Sequence, residues 1–224
     1  MSLLLLLETS GKMCSVALSE NGSILTWKEQ GKEYTHAENL TLFIEEVLAK
    51  ANRKLEELDG VAVSKGPGSY TGLRIGVSTA KGLCFALGKP LIAVSTLDAM
   101  ARSFLESQIK VKAFYCPMID ARRMEVYCAV YSDRGEMLEP VSAKIIDADS
   151  FSSYLGKGKT YFFGDGAMKC SEVIKHPNAV FVDDIVPSAK YMLSFAEQQF
   201  EKKAFEDVAY FEPFYLKEFH TGAK

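Results

Sequence analysis

The sequence has little concentrated positive charge. No Lys/Arg run is longer than two (Arg122–Arg123 and Lys202–Lys203), and 29 acids against 26 bases give a net charge of −3. A protein that grips duplex nucleic acid unaided gathers a basic excess on one face, so no strong autonomous grip is expected here. Long apolar runs are also missing. The run of leucines at residues 3–7 falls far short of the ~20 residues that span a bilayer. It has no basic leader and stops at Glu8, so it reads neither as a membrane span nor as a signal peptide. The five cysteines (Cys14, Cys84, Cys116, Cys128 and Cys170) include no C-x-x-C pair, which argues against zinc ribbons and redox motifs. Four of them lie in apolar or strand-like contexts, where a free thiol behaves as a small hydrophobe, and a reducing cytoplasm is the expected compartment. The histidines His36, His176 and His220 are scattered, with no i, i+4 pair to hold a metal on one helix face. They read as structural or solvated. A G-x-S-x-G elbow and a Walker loop are both absent.

What is present describes a globular α/β chain. At ~150 residues per domain, 224 residues make one large domain or two small lobes. Apolar residues at 48% and charged residues at 25% match the globular average and exclude a disordered or collagen-like chain. Residues 3–7 read as a strand buried on both faces. Residues 14–18 and 23–27 flank Asn21-Gly22, a hairpin signal because both residues accept positive φ. Thr35 with Glu38 forms a capping box. Leu40, Phe43, Ile44, Val47, Leu48 and Ala51 then make one apolar helix face. A strand at 61–64, a helix over 70–87, a strand at 90–94 and a helix over 96–106 follow.

The second half repeats the first. Residues 114–119 form an apolar strand ending at Asp120, 125–131 alternate, Gly135 turns, and 137–146 continue extended. A short helix is expected from 149 or 150 to 155. Strand, acid-led turn, strand, glycine turn, strand and helix thus recur about 112 residues apart. A period of half the chain implies two similar lobes rather than a solenoid. The lobes are expected at 1–106 and 107–224, the last segment being a candidate to pack back on the first. Residues 161–163 and 180–182 read as further strands, Ser188 as the cap of a helix through Phe200, and 209–216 as an extended aromatic tail.

The most informative segment runs Ser64-Lys65-Gly66-Pro67-Gly68-Ser69-Tyr70-Thr71-Gly72-Leu73-Arg74-Ile75-Gly76-Val77. A strand entering glycines and then a helix offers free N–H groups to an anion; a plain tight turn capped by Ser69 or Thr71 is the equal alternative. Gly72, Gly76 and Gly82 burden the helix by about 3 kcal/mol relative to alanine. Gly72, Gly76 and Ala80 lie on one stripe. That stripe either packs against the chain's own sheet or admits a helix from another chain, with Ala37, Thr41 and Leu42 of the preceding helix beside it. Glu8 and Asp120 are strand-end acids. Each either faces a metal–nucleotide or bonds the N–H groups of its own turn. Gly164-Asp165-Gly166 is either an adenosine-side loop or a βα turn.

The run from Gly66 to Gly76, extended through Ala80-Lys81-Gly82-Leu83 to Pro90-Leu91-Ile92-Ala93-Val94-Ser95-Thr96-Leu97, resembles the TsaB family of bacterial tRNA threonylcarbamoyladenosine biosynthesis proteins. Ile119-Asp120-Ala121-Arg122 with Glu125-Val126-Tyr127 resembles the family's second signature, and Glu212-Pro213-Phe214-Tyr215-Leu216 its C-terminal one. The resemblance implies the two-lobed actin-like ATPase fold (ASKHA), a duplicated ribonuclease H-like architecture. It implies a non-catalytic subunit of TsaD, the enzyme that transfers threonylcarbamoyl to the tRNA adenosine next to the anticodon. TsaE, a small ATPase, joins the complex, and TsaC makes the donor. Without its partner the family homodimerises through the first two long helices, and tRNA is reached only through the partner.

Where TsaD resembles Val-x-His-x-x-x-His, this chain has Thr96 and Met100 in place of the histidines. Thr and Met cannot replace an imidazole pair for a hard ion, so no catalytic residue or metal site is assigned, and nothing supports a hydrolase. Glu8 stands where many relatives have Asp. The candidate nucleotide or phosphate residues are Glu8, Ser10, Gly66, Gly68, Ser69, Asp120, Arg122, Gly164 and Gly166. No cofactor is expected on the isolated chain, with ATP or ADP reserved for the complex. The candidate partner residues are Ala37, Thr41, Leu42, Gly72, Arg74, Gly76, Val77, Ala80 and Lys81. On this reading Gly76→Leu or Ala80→Glu would break the complex and spare the fold. An ATP-dependent phosphotransferase of the same fold is the alternative function.

Overall fold

The computed structural model describes residues 2–31, 36–107 and 112–217. They divide into two units: residues 1–99 with 187–214, and residues 100–186 with 215–224. The division falls inside a helix at residue 99 rather than at 106, and the segment 187–214 goes with the first unit.

In the first unit the strands are β1 (Leu3–Glu8), β2 (Met13–Glu20), β3 (Ser23–Gly31), β4 (Gly60–Gly66) and β5 (Leu91–Ser95). Their order across the sheet is β3-β2-β1-β4-β5. The β1–β2 and β2–β3 pairs are antiparallel, the β1–β4 and β4–β5 pairs parallel. The second unit contains β6 (Phe114–Asp120), β7 (Glu125–Tyr131), β8 (Met137–Ile145), β9 (Thr160–Phe163) and β10 (Ala179–Val182). Its order, β10-β9-β6-β7-β8, is the same topology with the same strand directions. The half-chain repeat is therefore a repeat of connectivity.

The helices are where the two copies differ. In the first unit α1 (His36–Lys50) and α2 (Tyr70–Leu87) are long, whereas their positional counterparts α4 (Ser152–Leu155) and α5 (Ala167–Cys170) are four residues each. Helix α3 (Thr96–Ser107) follows β5, and a 3₁₀ turn at Ala189–Met192 leads into α6 (Leu193–Glu201). The Ser188 helix therefore begins as 3₁₀, with no side-chain cap from Ser188. The hydroxyl of Ser188 donates instead to Glu29 on β3, at 2.8 Å. The aromatic tail forms no strand among the described residues: Glu206 makes one bridge to Leu91, and Asp207 Oδ1 turns the chain by accepting the N–H groups of Ala209 and Tyr210. The Thr35 capping box lies outside the described residues.

The leucine run explains itself in this sheet. Leu3, Leu5 and Leu7 pack with α1 and α2, while Leu4 and Leu6 pack with Ala189, Met192 and Ala196 on the opposite face. A strand covered on both sides needs no polar alternation. Each fully buried leucine contributes about 1.5–3 kcal/mol. Leu40, Phe43, Ile44, Val47 and Leu48 are the buried face of α1, as their spacing implies. In the second unit Cys116, Met118, Val126, Cys128 and Phe162 are among the residues of a separate core. All five cysteines are buried and free.

Candidate functional site

Strand β1 ends at Glu8, which is buried, and the Ser10 N–H donates to its carboxylate at 2.6 Å. Burial pushes this carboxyl upward from its ordinary value, against hydrogen bonds from Ser10 and Ser64 that act the other way. The loop after β4 then closes over the turn. Gly66 has φ +106° and lies before Pro67. A Cβ on Gly68 would sit 2.4 Å from the Ser10 carbonyl oxygen. The Ser69 N–H donates to that same oxygen at 2.6 Å, and the Ser69 hydroxyl accepts the Gly72 N–H at 3.2 Å as the cap of α2. Glu8, Ser10, Gly66, Gly68 and Ser69 thus form one packed junction, in which the N–H groups of Ser69 and Gly72 are used internally.

The second set lies in the other unit. Lys169 Nζ meets Asp120 Oδ1 at 2.5 Å and also donates to the carbonyls of Arg123 and Glu125. The Arg122 N–H donates to the same Asp120 oxygen at 2.9 Å, and Asp165 accepts the Asp120 N–H at 3.0 Å. Gly164 has φ +109°, and a Cβ there would meet the Met118 carbonyl oxygen at 2.1 Å. Gly164-Asp165-Gly166 is accordingly a tight βα turn.

These donor sets do not fit a magnesium–nucleotide, the ligand an actin-like fold implies. The acid of the first turn is buried, its carboxyl pushed upward and already accepting the Ser10 N–H, and the acid of the second is already bound by an ammonium group. Among the described residues no cluster of three or more His, Cys, Asp or Glu side chains could hold a metal. Thr96 and Met100 on α3 are buried. His36 Nε2 lies 3.0 Å from the Gly11 carbonyl, and His176 Nδ1 accepts the Asn178 N–H. His220 lies outside the described residues.

A pH test follows from Glu8. Its pKa is higher folded than the ordinary 4.5, so the folded state holds the proton more tightly than the unfolded one. The resulting stability is complete below pH 4.5 and is lost as pH rises through the folded value. Wild-type unfolding free energy, from urea titrations, is expected to fall across that window relative to Glu8→Gln. Parallel pH curves would show that the acid is not held neutral.

The partner residues need correction. Gly72, Gly76, Val77 and Ala80 are buried in their own unit. A Cβ on Gly72 would lie 2.1 Å from the Thr9 carbonyl oxygen, and one on Gly76 would lie 2.2 Å from Thr9 Oγ1. The small-residue stripe lets α2 approach the β1–β2 turn, so it is the intramolecular alternative that holds. Gly76→Leu and Ala80→Glu would damage the fold, not a partner contact. Lys81 is engaged as well: its Nζ donates to the carbonyls of Ala209 and Phe211, both at 3.0 Å. Ala37, Thr41, Leu42 and Arg74 are exposed, Arg74 stacking over Tyr70. The outward face of α2 runs Arg74, Ser78, Gly82 and Phe85. Phe85, 84% exposed, stands on that face and is not among the partner residues expected from the sequence. It lies three and four residues from Gly82 and Lys81, so helical spacing puts it beside residues already on that side of α2.

The fold is that of the two-unit actin-like α/β proteins. Inorganic polyphosphate/ATP-glucomannokinase from Arthrobacter shares it at a TM-score of 0.52, with 12% identity over 90% of this chain and 100% of that one. YeaZ from Pseudomonas aeruginosa superposes at a TM-score of 0.81, with 30% identity over 96% of this chain and all of that one. The model of the family TsaD, tRNA N6-adenosine threonylcarbamoyltransferase, matches residues 32–223. The tRNA threonylcarbamoyladenosine biosynthesis protein TsaB of Haemophilus influenzae is 32% identical over 99% of this chain and 96% of its own length. The Escherichia coli TsaB is 30% identical over 96% and 94%. The chain belongs to the TsaB family.

Proposed function

We propose that this chain is the non-catalytic subunit that binds and supports a TsaD-like transferase in threonylcarbamoylation of the tRNA adenosine next to the anticodon. The observation that carries the reading is large apolar side chains exposed on two helices of a chain of this family, Phe85 on α2 and Leu42 on α1, 84% and 58% exposed; the resemblance to TsaD places Thr96 and Met100, both buried, at its histidine positions. Large apolar side chains left in water on neighbouring helices suit a protein partner. Helix α1 packs beside α2 in the same unit. The same face would serve a homodimer when the partner is absent. A TsaE-like ATPase joins the assembly, ATP or ADP belongs to the assembled complex, and the setting is the cytoplasm. No described helix is long and apolar enough to cross a membrane. The phosphotransferase alternative lacks support, because Asp120 is already held by Lys169.

The test is co-purification of a TsaD-like protein with the full chain from the same cells, with tRNA modification assayed with and without the chain. Modification is expected to need both proteins, and depletion of this chain is expected to lower threonylcarbamoyladenosine in tRNA. Modification by this chain alone would overturn the reading.

A further inference from the structure

The two turns of the sequence that hold left-handed residues in hairpins of regular composition use the expected ones. Asn21 and Gly22 have φ +50° and +77°, and Gly135 has φ +79°. The β6–β7 turn instead places two consecutive arginines there, Arg122 at φ +70° and Arg123 at φ +49°. A side chain with a Cβ is strained in that region, and glycine or asparagine relieves the strain. A local rule broken twice in succession, at exposed positions, points to a use for those side chains.

The charges around the turn are already sorted. Asp120 is taken by Lys169, and Glu125 by Lys217. Asp165 faces the backbone N–H of Asp120. No ion pair among the described residues engages Arg122 or Arg123. The acids of the turn are thus matched by lysines, and the two exposed arginines sit on a backbone fixed by the Ala121 N–H to Glu125 and Glu125 N–H to Arg122 bonds. A planar guanidinium fork matches the oxygens of a phosphate.

We infer that the β6–β7 turn contacts the phosphodiester backbone of RNA through Arg122 and Arg123, an inference that rests on the tRNA-modification reading above. An RNA backbone suits this site better than a magnesium–nucleotide, because the carboxylate that would hold the ion is bound by Lys169. The contact is an aid to binding within the complex, in keeping with a chain of net charge −3. It revises the expectation that tRNA is reached only through the partner.

The test is the double variant Arg122→Asn/Arg123→Gly, which gives the turn the residues its geometry favours. Its melting temperature is expected to equal or exceed that of the wild type. Labelled tRNA is titrated by fluorescence anisotropy into the full chain alone at low salt, and into the chain assembled with the TsaD-like subunit. The variant is expected to assemble normally, to bind tRNA about tenfold more weakly, and to show a salt slope of log K smaller by about two. Unchanged tRNA affinity and slope in both settings, with the complex intact, would overturn this inference and leave the functional reading standing. Weaker binding of ATP with tRNA binding unchanged would also overturn it and assign the turn to a nucleotide. A wild-type chain that forms no complex defeats the functional reading instead. The titration of the chain alone then decides the arginines by the same loss or retention of tRNA binding.

Discussion

Gly72→Ala is expected to lower the unfolding free energy by about 3 kcal/mol, at the upper end of overpacking penalties. The added Cβ would sit 2.1 Å from the Thr9 carbonyl oxygen and 3.3 Å from its carbonyl carbon. A backbone oxygen cannot swing aside as a side chain can, so α2 or the β1–β2 turn must move. The turn is held in place: Thr9 and Ser10 follow Glu8 of β1, which pairs with β2, and Ser69 binds the Ser10 oxygen. Separation of α2 from the sheet would also expose Leu73, Val77 and Ala80. Gly82→Ala is the internal control. Its Cβ would meet nothing within 4 Å, so helix propensity alone applies and a gain of about 0.5–1 kcal/mol is expected. Urea unfolding of the two variants measures both. If both glycines tolerate alanine equally, the close approach of α2 to the Thr9 turn is wrong.

Phe85→Glu is expected to weaken binding of the TsaD-like subunit by about 2 kcal/mol, roughly 30-fold, with no loss of thermal stability. The ring is 84% exposed, so its removal leaves no cavity in this unit. An acid there would have to be desolvated at an apolar contact. Leu42→Glu on α1 is expected to act in the same direction. Calorimetric titration gives the affinity, and melting by circular dichroism confirms the fold. An affinity within threefold of the wild type for both variants would move the partner to another surface. The contrast with Gly72→Ala separates two sides of one helix: the glycine side is packed against the Thr9 turn, and the phenylalanine side is the one proposed to meet the partner.

Much of the fold was legible because its signals are local. The bounds of α2 match the expected 70–87, and of the two expected caps Ser69 is the one that accepts the Gly72 N–H. Asn21-Gly22 marked its hairpin, and the alternation of residues 125–131 marked β7. The recurrence of an apolar strand, an acid-led turn and a hairpin announced the duplication. The rest was set by contacts remote in sequence, including the packing back of the last segment, which the sequence offered only as a candidate. Residues 187–214 joined the first unit because Ala189, Met192 and Ala196 fill the sheet face opposite α1 and α2, and because Ser188 and Lys190 both bind Glu29. The aromatic tail reads as extended, but it begins in a turn at 208–210 held by Asp207, and Lys81 binds the carbonyls of Ala209 and Phe211.

The amino-acid sequence alone determined the two-copy α/β topology and the family. Those features depend on residue identity and spacing. Tertiary structure decided which side of α2 faces inward, because a row of small residues admits a neighbouring turn as readily as a foreign helix. Only the arrival of the Thr9 carbonyl against Gly72 distinguishes the two. It likewise decided the state of Glu8, since a carboxyl at a strand end is solvated or sealed according to what the distant residues 66–69 place on top of it.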